Sequence, residues 1–360
     1  MWLKTISVRK LILVGVAAVA LLAFGSAIAQ GGASKAPRTT LSKMVISMNR
    51  DPQILGVSAR VEWKNNLLGD LPINNPLLAG GSGRMWADGN SNLRAELQGE
   101  SGDSQLLVKG NQIQIWDAQG NTLYSWNMKA PRTRKAARNS KDKDWLSKLG
   151  QYWNISQPQS TIQADRSAYR IRLTPKQPMG LLGGMDLVVD AQYKLPLSFL
   201  LYAKDVVDPV VSLQATQADF SAVDGSVFNW QAPADAKKIN FNSVPGKQSR
   251  SSNKINAKLA APVLPGTLVG LAGTQTVKQK GMVVTTYGEG LNGLIVVQSP
   301  SSKTDSMIAQ LPKVQVGGQS LPALQTPLGG MIQASKDGIS TTVIGSQTQA
   351  RLIQAMQELL

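Results

Sequence analysis

Between Val57 and Phe220 the chain alternates apolar and polar side chains at every second residue, in short stretches broken by turn dipeptides. Val57-Ser58-Ala59-Arg60-Val61-Glu62-Trp63, Leu93-Arg94-Ala95-Glu96-Leu97 and Gln112-Ile113-Gln114-Ile115-Trp116 carry the pattern. Asn121 to Trp126, Ala168 to Leu173, Met185 to Val189, Leu197 to Ala203 and Val211 to Phe220 continue it. A period of two puts one row of side chains into a core and the next into water, which is the mark of a strand. Asp88-Gly89, Lys109-Gly110-Asn111, Gln119-Gly120-Asn121 and Asp224-Gly225 supply the turns between them. Consecutive strands at this spacing build an antiparallel meander.

Helical periodicity is confined to a few places. Leu41, Met44, Val45 and Met48 fall at i, i+3, i+4 and i+7, which predicts a helix over Thr40 to Asn49 that Pro52 stops. Trp145, Leu146, Leu149, Tyr152 and Trp153 group on one side of a second helix, Asp144 to Trp153, either a packed core helix or a flap over a cavity. Lys237 to Lys258 is polar, basic and poor in large apolar residues, and so reads as a linker. Beyond it, Met282 to Tyr287, Leu294 to Gln298, Met331 to Ser335 and Ile339 to Ile344 read as strands. A final helix has Ser346 and Gln349 placed as a capping box and buries Leu352, Ile353 and Met356. The organisation expected is a signal peptide or anchor over 1–29, a linker over 30–39, a mainly β domain over 40–241, a basic linker over 242–262 and a small α+β domain over 263–360.

Lys4, Arg9 and Lys10 precede an uncharged run from Leu11 to Ala29 that closes on Ala27-Ile28-Ala29. A basic start, an apolar stretch and small residues at its end are the order of a secretory signal. The run is also long enough to span a bilayer as a retained anchor. In either case the remainder is expected outside the cytoplasm, periplasmic, secreted or held at the outer face of the inner membrane.

The chain contains no His and no Cys. Histidine-based triads, thiol nucleophiles, His or thiolate metal sites and disulfides are therefore excluded, and no cofactor is expected. Of the formal charge of +16, most sits in two stretches. Lys129 to Lys148 has eight basic residues against two acidic ones, among them Arg132, Arg134, Lys135 and Arg138, and Lys237 to Lys258 has six against none. The charge lies in Pro-, Ser- and Asn-containing connections without interleaved aromatics, so it points to an anionic membrane surface and not to nucleic acid.

Three patterns that resemble chemistry fail on context. Gly288-Glu289-Gly290-Leu291-Asn292-Gly293 matches G-x-G-x-x-G, but Leu294-Ile295-Val296-Val297 follows as a strand where a dinucleotide site needs a helix, so a hairpin turn is expected. Ser140-Lys141-Asp142-Lys143 and Ser251-Ser252-Asn253-Lys254 match S-x-x-K without the supporting elements of an acylating serine enzyme. Asp88, Glu96, Asp117 and Asp190 stand at turns or on polar strand positions, where solvation explains them.

What remains is apolar material in an unexpected place. Leu67-Leu68-Gly69-Asp70-Leu71-Pro72-Ile73-Asn74-Asn75-Pro76-Leu77-Leu78 is too long and too apolar for a plain surface turn. It either packs against the sheet or edges a hydrophobic pocket. A curled sheet leaves an interior lined by every second side chain. Acyl chains are held there without directional bonds, at about 25 cal/mol per Å² of apolar surface removed from water. Strand parity nominates Leu93, Ala95 and Leu97, Leu106 and Val108, and Ile113 and Ile115 as one such lining.

A helix, a strand ending in Val61-Glu62-Trp63, the run Gly83-Arg84-Met85-Trp86-Ala87-Asp88-Gly89 before Leu93-Arg94-Ala95-Glu96-Leu97, and then Lys109-Gly110-Asn111-Gln112-Ile113-Gln114-Ile115-Trp116-Asp117 follow one another. Tyr169 to Lys176, Val189-Asp190, Leu195-Pro196-Leu197 and Phe228-Asn229-Trp230-Gln231-Ala232-Pro233 complete the series. This succession, over about Thr40 to Phe241, resembles the LolA-like lipoprotein-carrier family. Leu264 onward looks like the small extra domain of extracytoplasmic relatives, including regulators of anti-sigma factors. The resemblance implies an incomplete antiparallel barrel with a helical lid that binds lipid or lipoprotein acyl chains, without catalysis. It also admits an envelope signalling protein that binds a membrane partner. Arg94 matches the arginine that holds the lid shut in that family, with Leu67, Leu68, Leu71, Leu77 and Leu78 as lid material. The long N-terminal segment, the loop from Leu67 to Leu78, the basic insertion and the second domain depart from the carriers.

Overall fold

The computed structural model describes residues 35–48, 55–67, 80–88, 92–99, 102–127, 145–240, 263–279, 281–301, 308 and 310–360. Within them the first helix is α1, Leu41–Met48, and the meander follows as β1 Gly56–Asn65, β2 Gly80–Asp88, β3 Leu93–Gly99, β4 Gly102–Lys109, β5 Gln112–Asp117 and β6 Thr122–Asn127. After α2, Trp145–Tyr152, come β7 Trp153–Ile155, β8 Gln159–Gln163, β9 Arg166–Pro175, β10 Leu182–Asp190, β11 Pro196–Ala203, β12 Pro209–Asp219 and β13 Lys237–Asn240. These thirteen strands form one sheet in the order β13-β6-β5-β4-β3-β2-β1-β12-β11-β10-β9-β7, with β8 also paired to β9. Its two ends do not pair with each other, so the mainly β reading holds and the sheet is an open one.

Register makes one face of this sheet continuous. Ile171 faces Leu187, which faces Phe199, then Leu213, then Trp63. Met85 faces Ala95, then Leu106, Ile115 and Tyr124. Paired residues share a face, so this row is the apolar side of the whole sheet. Both helices lie on it at the β9 end, where Leu41 and Met44 of α1 and Leu149 of α2 pack on Tyr169, Ile171 and Leu173. Two glycines on the same face allow the sheet to curl tightly at β2. A Cβ at Gly81 would lie 2.1 Å from the Gln98 carbonyl oxygen, and one at Gly83 would lie 2.2 Å from that of Glu96.

The chain leaves the centre of the sheet after β12 and returns at its far edge, where β13 runs parallel to β6. Composition makes Lys237 to Lys258 linker-like, with the β domain drawn to 241 and no strand assigned at Lys237. The structure extends the sheet to Asn240, because Lys237-Lys238-Ile239-Asn240 pairs through its backbone and needs no alternating pattern. Between them, residues 221–236 form a strap across the polar face. Its 3-10 turn, Gly225–Asn229, is capped by the Asp224 carboxylate, which accepts from the Ser226 N–H and is held below the usual carboxylate range by that bond.

The second sheet contains β14 Thr267–Leu268, β15 Leu271–Gln279, β16 Met282–Tyr287, β17 Leu294–Pro300, β18 Lys313–Val316, β19 Gln319–Thr326, β20 Gly329–Lys336 and β21 Ile339–Gly345, followed by α3, Gln349–Gln357. Their order is β14-β15-β16-β17-β21-β20-β19-β18. The glycine-rich run between β16 and β17 is a hairpin connection containing one 3-10 turn, Gly290–Asn292. Leu352, Ala355 and Met356 of α3 are buried with Tyr287, Val296, Ile332 and Val343. Each fully buried Leu or Met side chain contributes about 1.5–3 kcal/mol relative to exposure. The cap of α3 is Thr348, whose hydroxyl accepts from the Arg351 N–H, and not Ser346. Ser346 instead donates to Leu328 O and accepts from the Leu181 N–H at 3.0 Å, joining the two sheets. At the same junction Gly180, at φ +61°, donates to Asn292 Oδ1, and a Cβ there would stand 2.2 Å from Ser346 O.

Two buried phenols tie loops to the sheets and a third bridges β11 and β10. Tyr169 donates to Pro37 O at 2.7 Å, Tyr202 to Asp186 Oδ2 at 3.2 Å and Tyr287 to Pro265 O at 2.8 Å. Burial raises the pKa of all three above the ordinary value of 10, and for Tyr202 the Asp186 carboxylate adds to this. A pKa raised by folding gives stability that is complete below 10 and lost as pH climbs through the folded value. Urea midpoints are therefore expected to fall above pH 10, and Tyr169→Phe should flatten that fall, which a pH series followed by circular dichroism measures.

Candidate apolar binding face

Every residue nominated by parity lies on the apolar face of the sheet. Leu93, Ala95, Leu97, Leu106, Val108, Ile113 and Ile115 are buried in one cluster with Val61, Trp63, Met85, Ala87 and Leu213. Of these seven, Leu93 also lines a groove that the sequence reading does not foresee as a unit. Val57, Ala59 and Val61 of β1 form one wall with Met85, Ala87 and Leu93. Leu195, Pro196, Leu197, Ala215, Ala218 and Phe220 form the other. The second wall comes from segments more than a hundred residues further along the chain, brought in by the pairing of β1 with β12. About 30 Å³ is free between the two walls.

A buried ion pair braces the groove's outer wall. Arg166 Nε donates to Asp190 Oδ2 at 2.6 Å, and the Asp190 side chain is fully buried, not solvated as its polar strand position suggests. The second carboxylate oxygen accepts the N–H groups of Gln192 and Tyr193 at 2.9 and 2.6 Å. The guanidinium also lies 4.3 Å from the centre of the Phe220 ring, and that ring packs at 4.7 Å on Tyr193. Lys194, next in the turn, has its pKa lowered by burial, partly offset by Asp190.

Arg94 lies on the face opposite the nominated lining. Alternation that turns Leu93 and Ala95 to the apolar side turns Arg94 to the polar one. Its guanidinium donates to Val227 O at 2.9 Å, pairs with Glu96 and donates to Gln105 Oε1 at 3.3 Å. It also lies 5.7 Å from the Trp86 ring and 6.0 Å from that of Trp230. Arg94 thus fastens the strap to the outside of the sheet. Of the lid residues, Leu67 is half-buried, with its N–H bonded to Asn65 Oδ1 at 3.1 Å. Leu68, Leu71, Leu77 and Leu78, and the basic residues Arg132, Arg134, Lys135 and Arg138, lie outside the described residues. Among the described residues there is no group of three or more acidic side chains placed to hold a metal.

No family profile matches the chain, and no curated protein matches it. Solved structures similar to it include MucB and LolA superfamily proteins. The Pseudomonas aeruginosa MucA/MucB complex matches at 16% identity over 83% of this chain and 91% of that one, with a TM-score of 0.44. A LolA superfamily protein from Nitrosomonas europaea matches at 12% identity over 53% and 97%, with a TM-score of 0.22. A putative outer membrane lipoprotein-sorting protein domain from Vibrio parahaemolyticus matches at 8% identity over 52% and 95%, with a TM-score of 0.23.

Proposed function

We propose that this chain is a non-enzymatic, extracytoplasmic binding protein that takes a lipid or the acyl chains of a lipoprotein onto the apolar face of its open sheet. The observation that supports this is the groove itself, whose two walls are built from aliphatic and aromatic side chains and offer no charged anchor. Such a lining rewards hydrocarbon through area alone and discriminates little among chain types. With about 30 Å³ free, an acyl chain enters only as the side chains over the groove move aside, so binding and opening are one event. The basic stretches at 129–148 and 237–258 suit anionic headgroups nearby. The test is native mass spectrometry of protein purified from envelopes, followed by uptake of a fluorescent fatty acid. A co-purifying acyl species displaced by the probe is expected. Protein that stays lipid-free and takes up no probe overturns the reading.

A second reading, an envelope regulator that binds a membrane protein, has its own observation. β15 pairs with β14 only at Leu271 and Ala272, so among the described residues no strand lies along its outer edge from Thr274 to Lys278. An exposed edge accepts an extended peptide as an added strand. A stoichiometric partner that remains bound after delipidation favours this reading over the carrier.

A further inference from the structure

The opposite face of the large sheet holds a second cavity that the acyl-chain reading does not use. It lies between β4, β5 and the strap, and has a volume of about 240 Å³, open to solvent on one side. We propose that this cleft binds a glycan, through a pyranose ring that carries an anionic substituent.

The argument starts from its chemistry. Leu107 and Phe228, both buried, form an apolar floor, and the half-buried Trp230 ring forms a wall. A pyranose has an apolar face of C–H groups that fits such a surface, and its hydroxyls project around the edge. Gln112, Gln114 and Gln231 stand on the rim. A carboxamide both donates and accepts, as a hydroxyl does, so a rim of amides matches a sugar better than a rim of charges. Among the described residues, no side-chain hydrogen bond within the protein occupies these three amides. Lys109, beside Asn229 at 3.3 Å, adds one positive charge, and the lining contains no carboxylate. One ammonium with no counter-ion among the described residues is what selects an acidic sugar over a neutral one.

Other occupants fit less well. An extended peptide needs a free strand edge, yet β4 is paired on both sides by β3 and β5, and β5 by β4 and β6. An acyl chain would leave the rim amides and the ammonium desolvated without partners. Nucleic acid needs several cations along its backbone, and the cleft has one.

The wall is also preformed. Trp230 packs on Trp116 at 5.9 Å, Arg94 holds Val227 O just before the cleft, and Asn121 donates to Asp235 at 2.9 Å just after it. A ligand meeting a fixed aromatic wall loses less free energy to ordering than one that must assemble it.

The experiment titrates the full chain with a galacturonic acid trimer and with a neutral N-acetylglucosamine trimer, read by tryptophan fluorescence and calorimetry. Binding of the acidic trimer in preference to the neutral one is expected. Lys109→Gln should remove that preference, and Trp230→Ala should weaken the acidic trimer by about tenfold or more. Gln114→Leu, which preserves packing, serves as a second variant and should cost a similar factor if Trp230→Ala unfolds. Uptake of the fluorescent fatty acid should match wild type in Lys109→Gln and Gln114→Leu, which keeps this site separable from the apolar groove. No response to either trimer, a response unchanged by all three variants, or binding of an acidic peptide in place of the sugars overturns the proposal.

Discussion

Arg166→Met is expected to destabilise the chain by about 3–5 kcal/mol, the usual result of removing one partner from a buried ion pair. Asp190 is fully buried, and Arg166 is its only cationic partner among the described residues within salt-bridge distance. Without the guanidinium the carboxylate keeps two backbone N–H donors and the more distant charge of Lys194, but loses the cation in contact with it in a low-dielectric site. The same substitution removes the stacking on Phe220 and Tyr193, a contribution of about 0.5–2 kcal/mol that methionine recovers only in part. The double variant Arg166→Met with Asp190→Asn should regain most of the loss, because the neutral amide oxygen still accepts from the turn. Urea unfolding followed by circular dichroism separates the two. A loss below about 1 kcal/mol in the single variant would mean that the carboxylate takes up a proton or finds water, and the pair would then contribute little.

That pair shows where local reading stops. Alternation is a property of single strands, so Leu93, Ala95 and Leu97 were legible as one face, and pairing with Leu106, Val108, Ile113 and Ile115 follows from short hairpins. The same rule places Arg94 on the polar side, where it holds the strap at Val227 O. The other half of the groove was not legible. Leu195, Ala218 and Phe220 reach it because β1 pairs with β12, a contact across about 150 residues that no local pattern encodes. β13 escaped for a different reason. Lys-Lys-Ile-Asn joins the sheet by backbone bonds at an edge, where side-chain pattern is not required. β15, Leu-Ala-Gly-Thr-Gln-Thr-Val-Lys-Gln, is largely exposed and so lacks a buried row to announce it. The α3 cap shows a two-residue ambiguity: Ser346 and Thr348 are both good capping residues, and the serine is drawn away by Leu328 and Leu181.

The groove itself yields the sharper functional test. Ala59→Trp is expected to lower affinity for the fluorescent fatty acid by about two hundredfold while leaving the protein folded. Ala59 is half-buried on the groove wall, opposite Met85 in register, and adjoins the space between β1 and Phe220. An indole there occupies room that about four methylenes of a bound chain would need, and each methylene kept in water forfeits about 0.8 kcal/mol. Overpacking costs the fold about 1–3 kcal/mol, less than most domains hold in reserve. Circular dichroism and the urea midpoint establish that the variant is folded before its affinity is read. Gln114→Leu, on the opposite face, leaves the groove intact and should bind the probe as wild type does. If Ala59→Trp takes up the probe at full affinity, hydrocarbon is not held between these walls. The continuous row from Ile171 to Trp63 would then serve as packing surface for the protein's own cover, and the exposed edge of β15 would become the principal candidate for what this chain recognises.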